Sequence, residues 1–238
     1  MAANKFTQPS GESNQLIASP WHTLFVIVAA ALYAYRSATN AANVRAGLVI
    51  SRPRMYLRTM LFELLFLAIV IFGVRLRGVS LDSIFGRRWH SFGAALRDLG
   101  LGIALILVAT IVVSTVGALL HDTSNQSIQF LLPQSSLEMA LWIVLSTIAG
   151  ICEEAVYRGY FQRQFAAITR SLPAGILLSG AAFGAAHLYQ GWRRAVPIAV
   201  MGALFGIVAQ WRGTVRPGMF GHVIQDSVAP LLVKLIHH

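Results

Sequence analysis

Leu137–Phe161 reads LEMALWIVLSTIAGICEEAVYRGYF. From Met139 to Cys152 it carries no charged residue; then Glu153 and Glu154 stand side by side, with Arg158 following. An uncharged run of this kind belongs to a helix buried in protein or lipid. Two adjacent carboxylates at its end need a reason, because a charge is expensive to take out of water. On an α-helix Glu154 and Arg158 share a face and can form an ion pair. Glu153 points about 100° away, at ~3.6 residues per turn, and is left for other work.

The rest of the 238-residue chain has the same character. Hydrophobic residues make up 56% and charged residues only 12%, with a mean hydropathy of +0.63. Soluble domains run at about 25% charged residues, so too little polar surface remains to cover a globule in water. A soluble enzyme, a disordered chain and a secreted disulfide scaffold are poor readings, and Cys152, the only cysteine, has no intrachain partner. A spanning helix needs about 20 mostly apolar residues. Candidates are Leu16–Tyr35, Met55–Val74, Gly100–Leu120, Leu137–Tyr157, Leu172–Tyr189, Ala195–Trp211 and Pro217–Ile236. The fold class is therefore all-α, a polytopic transmembrane helical bundle of about seven to eight spans. The organisation expected is a polar tail over 1–15, N-terminal transmembrane helices over 16–130 and a helical core over 131–238.

The net charge of +10 sits between the apolar runs, where membrane proteins carry basic residues, so the partner is a lipid bilayer and not nucleic acid. Arg75, Arg77, Arg87, Arg88 and Arg97 mark one loop as cytoplasmic, and Arg163 and Arg170 mark another. His121–Ser136, with Asp122 and no Lys or Arg, reads as external. Arg36, Arg45, Arg52, Arg54 and Arg58 break the alternation, so either that stretch lies on the membrane surface or the first span is miscounted.

Four of the nine acidic residues fall inside candidate spans: Glu63, Glu153, Glu154 and Asp226. So do His187 and His222, and five of these six ionisable residues lie after residue 150. Such groups inside a membrane mark function by default. His187 ends Phe183-Gly184-Ala185-Ala186-His187, where Gly180 and Gly184, like Gly202 and Gly206 on the next span, suit close helix packing. His222 and Asp226 are four apart on one helical face, so Asp226 can orient the imidazole. Arg170 is equidistant from Glu153 and His187, which places those two at similar depth on antiparallel neighbours. His222 fits less well: the helix between is only ~27 Å long, and tilt or a broken helix has to close the gap.

Glu153-Glu154-x-x-x-Arg158, Phe183-x-x-x-His187 and His222-x-x-x-Asp226 together resemble the motifs of the CAAX-protease and bacteriocin-processing (CPBP, or Abi) family of intramembrane proteases, which includes the type II CAAX prenyl endopeptidases. The resemblance covers Glu153 to Asp226, about a third of the chain. It implies peptide-bond hydrolysis with Glu153 as the base that activates water, His187 helping to hold that water, and His222 with Asp226 offsetting the oxyanion. Glu154, Arg158 and Phe183 would shape the site. Asparagine is common in prenyl-protein proteases where this chain has Asp226; a charged carboxylate cannot donate to an oxyanion, so Asp226 would orient His222 or carry a proton. The family has been described both as metalloproteases and as glutamate-dependent enzymes. The reading taken is a metal-independent mechanism with no cofactor; zinc, if present, would be held by Glu153, His187 and His222.

Hydrolysis below the headgroups needs a polar cavity, a water, a base and groups that offset negative charge, and these residues supply the base and the counter-charges. The expected substrate is a membrane-anchored protein or peptide: a prenylated C-terminus, a leader peptide or a membrane signalling protein. The expected location is a prokaryotic plasma (inner) membrane, as a multi-pass integral protein. The rivals are a transporter using the buried Glu/His cluster as an ion site and a non-catalytic scaffold. A transporter would be favoured by duplicated halves, which the sequence lacks.

Overall fold

The computed structural model describes residues 15–45, 51–122 and 131–236. The polar tail expected over 1–15 lies, except for its last residue, outside them. Among the described residues the structure is helical throughout, without strands. Its elements are α1 (Pro20–Arg45), α2 (Arg52–Leu76), the short α3 (Asp82–Phe85), α4 (Phe92–Leu119), α5 (Ser136–Glu153), a π-helical segment (Glu154–Phe161), α6 (Gln162–Thr169), α7 (Leu172–Ala186), a 3-10 turn (Leu188–Gln190), α8 (Trp192–Arg212) and α9 (Arg216–Ile236).

Each of the seven candidate spans is helical over most of its length. Five helices among the described residues are long and apolar enough to cross a membrane: Pro20–Asn43, Arg52–Leu76, Phe92–Leu119, the continuous Ser136–Thr169 and Trp192–Arg212. α7 has only 15 residues, about 22 Å at 1.5 Å per residue. α9, interrupted by His222, Gln225 and Asp226, is not among the five.

Leucines, isoleucines, valines and phenylalanines cover the outside of these helices: Leu24, Phe25 and Leu32 on α1, Leu57, Leu61 and Phe72 on α2, Leu107 and Ile111 on α4. Water would penalise such a surface and acyl chains do not. Trp21, Trp192 and Trp211 stand exposed at helix ends, the level at which aromatic side chains meet headgroups. The protein is an integral membrane protein.

The interior is organised around the π-helical segment, all eight residues of which are buried. α3 plugs its base, where a Cβ on Gly159 would sit 2.6 Å from the Ile84 carbonyl oxygen. Gln164 of α6, fully buried, accepts hydrogen bonds from the Ile17 and Ala18 amides at 2.8 and 3.3 Å and so pins the start of α1. α7 and α8 lie in backbone contact, since a Cβ on Gly184 would stand 2.5 Å from the Ala195 carbonyl oxygen and one on Gly180 2.8 Å from that of Ala199. The small-residue spacing at these two glycines thus serves helix packing.

Candidate active site

Glu153 closes α5 and Glu154 opens the π-helical segment. α9 approaches this junction closely: a Cβ on Gly150 would meet the Val223 Cγ2 at 2.6 Å, and one on Gly218 the Glu154 Oε2 at 2.6 Å. Both contacts demand glycine, and together they bring His222 against the two carboxylates.

The carboxylates divide their partners. Oε1 of Glu154 lies 2.9 Å from Arg158 Nη1 and 3.3 Å from His222 Nδ1, with Glu154 fully buried. The Arg158 guanidinium stacks 4.2 Å from the Phe183 ring centroid and 5.3 Å from that of Phe205. Its nitrogens are not aligned for hydrogen bonds, so charge and ring faces hold it. Glu153 is placed differently. Its Oε2 is buried, accepts no hydrogen bond and lies 3.7 Å from His222 Nε2.

His222 therefore presents Nδ1 to Glu154 and Nε2 to Glu153, with Asp226 Oδ2 at 3.5 Å on the same Nε2 side. Asp226, to which the spacing gives the role of orienting the imidazole, stands on the Nε2 side, while Nδ1 faces Glu154. Asp226 is more open, its side chain 36% exposed, and its backbone carbonyl accepts the Trp142 Nε1–H at 2.8 Å.

His187 caps the C-terminus of α7, and its Nδ1 donates to the Phe183 carbonyl at 2.9 Å. A carbonyl only accepts, so this bond fixes the proton on Nδ1 and leaves a lone pair on Nε2 in the neutral ring. Glu153 lies within electrostatic reach of His187, His222, Asp226 and Arg158. The depth gap expected between His187 and His222 is closed without a broken helix. α8 runs unbroken, and the Phe183 ring, one turn before His187, stands 4.7 Å from that imidazole and 5.9 Å from His222.

The structure thus brings together all seven residues singled out from sequence: Glu153, Glu154, Arg158, Phe183, His187, His222 and Asp226. It adds Phe205, whose ring lies 6.3 Å from His222, and Tyr189, whose ring lies 5.8 Å from His187. Burial, and then the neighbouring Glu153 carboxyl, hold the Tyr189 hydroxyl well above the usual tyrosine range, so it remains a donor. Nothing in an isolated Phe or Tyr at those positions could have found them. Among the described residues no group of three or more His, Cys, Asp or Glu side chains is arranged to hold a metal ion. In both His187 and His222 it is Nδ1 that is taken up, by the Phe183 carbonyl and by Glu154.

No curated protein and no solved structure matches the chain. The sequence model of the family described as type II CAAX prenyl endopeptidase Rce1-like matches residues 134–228. That range takes in every one of the seven side chains just described. Over this segment the chain is similar to that family.

Proposed function

We propose that the protein is a glutamate-dependent intramembrane endopeptidase that cleaves a membrane-anchored substrate, of the prenylated C-terminal type that the family's description names. Glu153 is the base. Each glutamate has a buried Oε2 without a hydrogen-bond donor, but Oε1 of Glu154 is held by Arg158 at 2.9 Å and His222 at 3.3 Å, whereas Glu153 has only His222 Nε2 at 3.7 Å; this difference carries the reading. A water placed between Glu153 and the Nε2 lone pair of His187 gives one proton to Glu153 as its oxygen bonds to the scissile carbonyl carbon. The carbonyl oxygen becomes an oxyanion. His222 offsets that charge through Nε2, and the Glu154–Arg158 pair fixes the ring from the other side. When the C–N bond breaks, Glu153 returns its proton to the leaving amine, so the base is regenerated and the balance is one water consumed per bond cleaved.

The test is Glu153→Gln in the full-length protein reconstituted in lipid nanodiscs, assayed on a synthetic farnesylcysteine peptide with three residues after the cysteine. The expected result is loss of turnover with the fold intact. Turnover at the wild-type rate would overturn the assignment.

A further inference from the structure

α4, α8 and α9 enclose a second polar space beside the catalytic cluster. It is a cavity of about 100 Å³, room for a carboxylate group or for a few waters at about 30 Å³ each. α4 contributes Thr110, Val113 and Ser114, α8 contributes Arg194 and Met201, and α9 contributes Gln225. Polar and charged side chains turned inward among membrane helices mark function by default. Thr110 already gives its hydroxyl hydrogen to the Ile106 carbonyl at 2.8 Å. The groups that can donate into the cavity are the Arg194 guanidinium, the Gln225 amide and the Ser114 hydroxyl. Among the described residues no carboxylate lines it.

The cavity adjoins the catalytic cluster on two helices. On α8 the residue after Met201 is Gly202, where a Cβ would stand 3.2 Å from the Phe183 ring and 3.3 Å from Arg158 Nη2. On α9 the residue after Gln225 is Asp226, whose carboxylate lies 3.5 Å from His222 Nε2. Arg194 stands towards the His187 end, since the carbonyl oxygen of its neighbour Ala195 is 2.5 Å from the Cβ position of Gly184, three residues before His187. His222 and Gln225 are separated by only ~4.5 Å along α9, and three extended residues of a bound peptide cover about 10 Å.

Arg194 is the cation of this space. Its Nη1 lies 3.6 Å from Asp122 Oδ2, a charge contact longer than a good hydrogen bond. The planar guanidinium therefore keeps donors for a second carboxylate. Arg158, the cation of the catalytic cluster, is held by Glu154. α8 opens with Arg193 and Arg194, has no acidic residue in its first turn, and receives no side-chain cap from Gly191. An anion bound there also meets the positive end of the helix dipole.

We propose that this cavity is the subsite for the substrate's C-terminal carboxylate, which the Arg194 guanidinium receives while Gln225 and Ser114 donate beside it. Cleavage a few residues from a chain end releases a fragment with a free α-carboxylate, and in a water-poor site that charge needs a cation. A receptor for the chain end also sets which bond reaches Glu153, so peptide bonds far from a C-terminus are excluded. The inference deepens the proposed function and rests on it.

The experiment uses the farnesylcysteine peptide with three residues after the cysteine in two forms, one with a free C-terminal carboxylate and one as the C-terminal amide. Both are assayed with wild type, Arg194→Gln, Arg194→Lys and Arg193→Gln in phosphatidylcholine nanodiscs, with thermal unfolding as the control for folding. Wild type is expected to prefer the acid by about tenfold or more in kcat/KM, chiefly through KM. Arg194→Gln is expected to lose that preference by a raised KM for the acid, with the amide turned over as in wild type. Arg194→Lys keeps part of the preference, and Arg193→Gln, which removes the same charge outside the cavity, keeps all of it. Wild-type indifference to amidation, or an undiminished preference in Arg194→Gln, overturns the proposal. If Arg194→Gln does not fold, Gln225→Leu takes its place, and an undiminished preference there overturns it equally. Equilibrium binding of the two peptides to Glu153→Gln separates this inference from the reading beneath it. If wild type cleaves neither peptide, the protease reading falls, and tighter binding of the acid still supports the subsite. If wild type cleaves both equally and the variant binds both equally, the subsite falls alone.

Discussion

Nδ1 of His222 lies 3.3 Å from Oε1 of Glu154, the same oxygen that faces Arg158 Nη1 at 2.9 Å. One buried carboxylate thus ties α9 to the π-helical segment and neutralises an arginine that has no water to turn to. Replacing it with an apolar residue leaves Arg158 as an uncompensated buried charge. Glu154→Leu is expected to destabilise the fold by about 3–5 kcal/mol, read as a lower unfolding midpoint in detergent micelles and a loss of turnover. An unchanged midpoint would mean that the two aromatic faces alone carry the guanidinium.

The second prediction concerns backbone distance. A Cβ on Gly150 would stand 2.6 Å from Val223 Cγ2 and 3.0 Å from the Val223 nitrogen. The backbone of α9 cannot yield as a side-chain tip can, so Gly150→Ala has to push α5 and α9 apart. Overpacking of this kind costs about 1–3 kcal/mol. A shift of about 1 Å between catalytic groups is worth ~100-fold in rate. Gly100 on α4 provides the control, because nothing lies within 4 Å of its Cβ position. Gly100→Ala is expected to be neutral or to stabilise the helix by about 0.5–1 kcal/mol. Equal behaviour of the two variants, in turnover and unfolding midpoint, would show that the contact at Gly150 does not set the site.

The residues of the site were legible in the sequence because charged groups in an apolar run stand out against their background. Glu153, Glu154, His187, His222 and Asp226 announce themselves by type, and the pairing of Glu154 with Arg158 follows from spacing alone. What joins them was not legible. The approach of α9 depends on Gly150 and Gly218, and a glycine carries no sign of which helix will lie against it. The π-helical turn over Glu154–Phe161 has no compositional mark; it accommodates a stretch in which every side chain is buried. The length of α7 was hidden for a related reason. Leu172–Tyr189 is apolar enough in sequence, but the helix stops at Ala186 so that His187 can cap it inside the site. Glu63 shows the opposite limit: its place inside an apolar run was evident, while what lies against it depends on how α2 packs.

His187 offers a third test. Its Nδ1 is committed to the Phe183 carbonyl, so only Nε2 can reach a water. His187→Ala removes that acceptor and leaves the Glu154–Arg158–His222 cluster in place. Turnover on the farnesylcysteine peptide is expected to fall by ~10²–10⁴, with KM little changed and the unfolding midpoint within a few degrees of wild type. A variant whose loss appeared entirely in KM would assign His187 to substrate binding.

Asp226 is the member of the site with the weakest geometric claim. Its carboxylate is 3.5 Å from His222 Nε2, longer than a good hydrogen bond, and its side chain is 36% exposed. A charge that open acts through a higher effective dielectric and is worth little. Its backbone, by contrast, is held by Trp142 through a carbonyl that any residue supplies. Asp226→Asn therefore keeps the shape, the backbone bond and a donor near the reacting oxygen, and gives up only a partly screened charge. Its kcat/KM is expected to stay within about tenfold of wild type, against a loss of ~10²–10³ for His222→Ala, which removes a group that offsets the oxyanion directly. If the two variants lose activity equally in the same assay, the negative charge at Asp226 is what makes His222 effective, and the division of labour between Glu154 and Asp226 runs the other way.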